Sequence, residues 1–268
     1  MMKKSLLTLL IFAILYVFVQ LFLRPYLHGN IVLNQSISIL YLWIPGIVAL
    51  AFVRAEGTKL AIFARPNKAF YFAPILSFAI CALAFVLSIP FGGASTPNPA
   101  FIGQTTGGVI GYALLFFVTS YLLMAVLFAF IFLGGELYWR GYLWDKLKKH
   151  PLKAIWITAL FWSLWQLPIT AFSYSPGASN QLLNVLWTFG LNFTLSPILT
   201  YFRVKGHSIL TAAIFYSSLM SAFVYFTVLF PMYQTRSIAI YGGLTIALLI
   251  LFSFGMKLYS SFNWKKIT

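Results

Sequence analysis

The chain has 268 residues, of which 61% are hydrophobic and only 8% charged, with 18 Lys and Arg against three Asp and Glu and a mean hydropathy of +0.91. A water-soluble domain of this length is not so apolar, and the composition places the chain among polytopic membrane proteins. The formal charge of +15 does not indicate nucleic acid, because the basic residues lie between apolar segments, where they set topology and meet anionic lipid headgroups.

The first element, MMKKSLLTLLIFAILYVFVQLFL, opens like a signal peptide, but no small-residue cleavage site occurs before Arg24. It is expected to remain as the first transmembrane helix. Seven further spans are predicted at about residues 31–53, 69–90, 111–133, 152–172, 181–202, 208–230 and 237–256, each long enough to cross about 30 Å of hydrocarbon. Eight helices put both termini on one side. With that side cytoplasmic, sixteen of the 18 Lys and Arg fall inside and only Arg24 and Arg236 outside, the asymmetry that orients membrane proteins. The expected fold is an all-α bundle of about eight transmembrane helices, one domain over residues 1–268, multi-pass in a bacterial cytoplasmic membrane.

Residues 91–110 are uncharged and rich in Gly, Pro, Ser and Thr, which predicts an irregular loop on the outside. Pro45, Pro168 and Pro197 lie within or near spans, where neighbouring groups must satisfy the freed carbonyls. Cys81, the one cysteine, sits in an apolar run and is expected to be a small buried hydrophobe.

Three polar constellations stand out on the cytoplasmic side. The first is LGGELYWRGYLWDKLKK, residues 133–149, which holds two of the three acidic residues, Glu136 and Asp145. A carboxylate at the mouth of a membrane helix is costly and marks a candidate site; Arg140, one turn on, is its expected partner. The second is WSLWQLP, from Trp162 to Pro168. The third is YSSLM, from Tyr216 to Met220. Asp145 with Lys148 and Lys149 reads as a solvated helix end, and Trp139, Tyr142 and Trp144 as an interfacial aromatic belt. His207 is expected at the membrane border beside Arg203 and Lys205.

These stretches resemble the CAAX-protease and bacteriocin-processing (CPBP, Abi) intramembrane endopeptidases, whose motifs are EExxxR in the fourth helix, FxxxH in the fifth, and HxxxN or HxxxD in the seventh. GELYWRGYLW is similar to the first, FWSLWQLP to the second and GHSILTAAIFYSSLM to the third, and the resemblance covers a core of roughly residues 111–230. It implies a CAAX-protease-like bundle. Glu136 and Arg140 match the family's second glutamate and its arginine. Gly135 stands at the first glutamate, Trp162 at the phenylalanine, Gln166 at the first histidine, Tyr216 at the second and Met220 at the terminal Asn or Asp.

Hydrolysis needs a group that takes a proton from water, and neither Gly135 nor Gln166 does so near neutral pH. No metal or other cofactor is expected, since Glu136 is the single ligand type at these positions. Gln166 and Tyr216 can still donate hydrogen bonds to a carbonyl. The expectation is a pseudoprotease whose cavity, open to the cytoplasm and marked by Glu136, Arg140, Gly135, Trp162, Gln166, Tyr216 and Met220, binds a transmembrane or lipidated segment of another protein. An active endopeptidase using Glu136 with Gln166 and Tyr216 is one alternative. A transporter using Asn34, Gln35, Asn184 and Asn192 is another.

Overall fold

A computed structural model describes residues 2–23, 26–27, 30–92, 108–172, 181–230, 235–258 and 264. Among the described residues, eight helices are long and apolar enough to cross a membrane. They are α1 (Met2–Phe22), α2 (Ile31–Ala55), α3 (Lys68–Ser88), α4 (Ile110–Leu147), α5 (Pro151–Phe172), α6 (Gln181–Lys205), α7 (Ile209–Leu229) and α8 (Thr235–Gly255). A single 3-10 turn, Ile89–Phe91, prolongs α3. Most of the uncharged loop predicted over 91–110, together with Arg24, Lys265 and Lys266, lies outside the described residues.

The axis of the bundle is α7, whose Ala212, Ala213, Ser217, Ser218 and Ala222 are buried on every side. Small residues let backbones approach closely where no water drives helices together. Against it lie α3, whose Ser77 hydroxyl donates to the Phe215 carbonyl at 3.0 Å, and α4. Cys81 is buried at the same interface, its Sγ 3.7 Å from the Leu219 carbonyl. Helix α1 is peripheral, with Leu7, Leu10, Ile14 and Phe18 exposed, the pattern of a lipid-facing surface.

One end of the bundle carries most of the charge. There the connection between α2 and α3 runs beneath α7: the Ile209 and Leu210 amides donate to the Ala61 and Ile62 carbonyls at 3.0 and 3.2 Å. The N-cap Ser208 accepts from Leu210 and donates to the Ile62 carbonyl at 2.6 Å. These bonds occupy amides that an α-helix start cannot pair within itself. Asn67 caps α3 in the same way, and its side-chain amide donates to the Lys205 carbonyl at the end of α6. Ser5 and Tyr138 share a 2.8 Å hydroxyl contact that ties α1 to this end.

The main departure from expectation is α4. Its apolar run was expected to stop at Leu133, yet the helix continues for 38 residues to Leu147. Glu136 and Arg140 lower the hydropathy without ending the helix, because each neutralises the other inside the protein.

Candidate functional site

Two stretches of α4, Phe117–Leu123 and Leu137–Tyr142, are wound as π-helix. The second begins directly after Glu136 and contains Arg140. A π-turn inserts one extra residue into a turn and rotates the rest of the helix about its axis, and such turns gather at functional sites. Every residue from Glu136 to Trp144 is buried, so this part of α4 is enclosed by protein on all sides.

Glu136 and Arg140 are 1% and 0% exposed, and Arg140 Nη1 donates to Glu136 Oε1 at 2.9 Å. The Arg140 guanidinium lies over the Trp162 ring, 4.1 Å from its centre, a cation–π contact in dry surroundings. Trp162 in turn meets Tyr216 edge to face at 5.5 Å and 86°, and Phe132 covers Tyr216 from α4 at 4.2 Å. From α6, Arg203 Nε donates to the Arg140 carbonyl. Behind α5, Tyr41 stacks on Trp165 at 4.1 Å and 3° and donates its hydroxyl to the Trp165 carbonyl at 3.0 Å. That bond lies beside the carbonyl displaced by Pro168, so Tyr41 supports the proline-containing stretch.

These side chains surround a narrow cavity of about 10 Å³, lined by Gly135, Glu136, Trp139, Trp162, Trp165, Gln166 and Tyr216 together with Leu42, Ile131 and Phe132. That is room for one water-sized group. The structure therefore brings together Gly135, Glu136, Trp162, Gln166 and Tyr216, with Arg140 bonded to Glu136. It does not bring Met220. That side chain lines a separate space of about 130 Å³ between α6, α7 and α8, with Trp187, Phe223 and Gly242. Met220 lies one turn beyond Tyr216, about 5.4 Å along α7, where its side chain meets Trp187 of α6 and Gly242 of α8 instead of the cavity.

The polar atoms at the cavity are unevenly matched. Glu136 Oε2, Trp139 Nε1 and Trp165 Nε1 are shielded from solvent and have no hydrogen-bond partner among the described residues. Glu136 is the sole carboxylate at the cavity, and no three His, Cys, Asp or Glu side chains gather anywhere among the described residues. As built, the cavity can hold a small polar group by hydrogen bonds. Its only proton acceptor is already in an ion pair.

Trp139 and Trp165 line the cavity although the sequence did not single them out for it. Trp139, Tyr142 and Trp144 do not form an exposed belt: all three are buried. Tyr142 donates to Glu56 Oε1 at 3.0 Å, and Trp144 packs against Trp264. The signal that was present for Trp165 is spacing, since Trp162, Trp165 and Gln166 fall at i, i+3 and i+4 on one helical face. The same spacing was present for Trp139, three residues after Glu136 on α4, but the general preference of tryptophan for the interface points it elsewhere. His207 is exposed in the turn between α6 and α7 with φ of 52°. Of the transporter candidates, Asn34 accepts from Gln20 at 3.2 Å, Gln35 is exposed and Asn192 is buried on α6; the side chain of Asn184 lies outside the described residues.

Residues 116–222 match the family model for type II CAAX prenyl endopeptidase Rce1-like proteins. Among curated proteins none matches the chain. The matched stretch runs from α4 to α7 and so includes all the elements that line the cavity except Leu42 of α2.

Proposed function

From the match of residues 116–222 to Rce1-like CAAX prenyl endopeptidases, we propose that this membrane protein is a non-catalytic relative of them that binds a lipidated or transmembrane segment of another protein. The observation behind the reading is the composition of the cavity. Its one carboxylate, Glu136, is paired with Arg140 at 2.9 Å, and Gly135, Gln166 and Tyr216 stand where a general base is needed. The one group there able to take a proton from water is Glu136, and the charge of Arg140, bonded to its Oε1, weakens it as a base, while donors that hold a carbonyl remain.

The reading also uses an orientation, with the charge-rich end towards the cytoplasm and next to anionic headgroups. The support for it is the positive-inside asymmetry of the Lys and Arg residues.

The deciding experiment maps protein termini by mass spectrometry in native membranes from deletion cells, after re-expression of the original chain or of Glu136→Ala. The two samples are expected to show the same termini. New termini that appear with the original chain and vanish with Glu136→Ala identify an active endopeptidase instead, with Glu136 as its base.

A further inference from the structure

Three acidic side chains stand against 18 Lys and Arg in the whole sequence. Each of the three has its own cation: Glu56 pairs with Lys146, Glu136 with Arg140 and Asp145 with Lys148. No side-chain carboxylate is left for any other basic residue. For a lysine in water this has no consequence. For Arg203 it has, because that side chain is only 8% exposed; Glu136 and Arg140 are the other charged side chains buried to this degree among the described residues. A cation held so far from water is ordinarily paired with an anion.

The Arg203 guanidinium is fixed by one edge. Its Nε donates to the Arg140 carbonyl at 3.2 Å, inside the π-helical stretch Leu137–Tyr142. Its Nη1 and Nη2 make no hydrogen bond or ion pair among the described residues. They are not sealed off as the unpartnered Arg140 Nε and Nη2 are, and keep access to the surface. Asp145 acts on Arg203 by charge from beyond ion-pair distance and gives its oxygen to Lys148 at 3.2 Å. Arg203 therefore presents two donor nitrogens, side by side, to a group outside the chain.

Position and shape choose that group. Arg203 stands in the last turn of α6, at the close of the membrane-spanning stretch Val185–Lys205, which is the level of lipid headgroups. The planar end of a guanidinium matches two oxygens of one phosphate. Lys205 in the same turn adds a second positive charge.

We propose that Arg203 is a phosphate-binding site at the membrane border, filled by the headgroup of an anionic phospholipid, and that this lipid steadies the Glu136–Arg140 pair. Arg203 rests on the backbone of Arg140, so its charge bears on the turn of α4 that carries the pair, and a phosphate on its outer edge offsets that charge. The inference holds whether the Glu136 cavity is catalytic or not. The phosphate could equally belong to a soluble ester, which the test separates.

The full chain is placed in nanodiscs of phosphatidylcholine with phosphatidylglycerol, and the lipid that stays bound after release is counted by native mass spectrometry. The original chain is expected to retain one phosphatidylglycerol. Arg203→Met, which keeps an apolar stem without the donors, is expected to retain about tenfold less, the loss of a charge-assisted contact. Arg203→Lys keeps the charge without the paired nitrogens and is expected to fall between the two, and it carries the test if Arg203→Met does not fold. Lys59→Met removes an equal charge from the exposed connection between α2 and α3 and is expected to change nothing. Equal losses in Lys59→Met and the Arg203 variants mean diffuse attraction and overturn the proposal, as does full retention in both Arg203 variants. Phosphatidylglycerol is also expected to raise the melting temperature of the original chain more than that of Arg203→Lys; an equal rise overturns the link to the pair. Glycerol phosphate added in lipid-free detergent is expected to leave the melting temperature unchanged. A rise in the original chain that Arg203→Lys lacks keeps the phosphate site and overturns the lipid as its source.

Discussion

A carboxylate and a guanidinium buried side by side in α4 are each tolerable there because of the other. Taking one ion out of water is costly, and removing the partner leaves that cost uncompensated. Arg140→Met is therefore expected to destabilise the protein by about 3–5 kcal/mol, measured by thermal unfolding in detergent. Adding Glu136→Gln should restore much of the loss, and a double-mutant cycle that shows simple additivity would contradict the pairing. The pair was legible from its four-residue spacing on a helix. The company it keeps was not: Trp162 beneath Arg140 and the two unpartnered indoles come from α5 and from a π-turn, and interfacial statistics for tryptophan pointed the wrong way for Trp139.

At the scale of elements, α4 meets α2 through glycine. A Cβ on Gly46 would stand 2.5 Å from the Gly134 carbonyl oxygen, and one on Gly134 would stand 2.9 Å from the Trp43 Cα. Backbone lies on both sides of this contact, so no side chain can swing away. Gly134→Ala is expected to cost about 1–3 kcal/mol through overpacking. The next residue behaves oppositely: a Cβ on Gly135 meets nothing closer than 3.7 Å. Gly135→Ala is expected to be neutral or to stabilise by up to about 1 kcal/mol, as the better helix former. Unfolding of the two variants side by side checks both, and equal effects would refute the assignment of faces. The same space bears on the resemblance, since the position that holds glutamate in the family is not sterically closed here.

Across the whole molecule, the connection between α2 and α3 locks the charge-rich end. Glu56 at the close of α2 receives the Tyr142 hydroxyl and pairs with Lys146 near the end of α4. The hydrogen bond from Lys146, reinforced by Tyr142 and by the charge of Lys146, holds the Glu56 carboxyl below its ordinary value despite some desolvation. A carboxylate whose folded pKa is lowered adds stability above its unfolded pKa and loses it as pH falls through the folded value. The difference in melting temperature between the original chain and Glu56→Gln is thus expected to be largest near neutral pH and to vanish as the pH drops below the carboxylate range. A difference that persists in acid would mean that Glu56 acts through packing alone. Orientation has its own test, because Cys81 is buried and leaves the surface free for labelling. In intact cells an impermeant thiol reagent should reach Tyr26→Cys and spare Lys59→Cys; the reverse pattern would invert the topology.

Composition and charge order alone determined that the chain crosses a membrane many times, how many spans it has and where most of them lie. This is because lipid demands long apolar helices whatever their neighbours. Tertiary structure decided where α4 ends, that Met220 faces a different space from Tyr216, and that Trp139 and Trp165 line the Glu136 cavity. Those features depend on contacts between helices far apart in the chain, and in α4 two π-helical stretches shift the phase. Hydropathy is blind to phase when every face of a helix is apolar, so sequence placed the helices and packing placed the site.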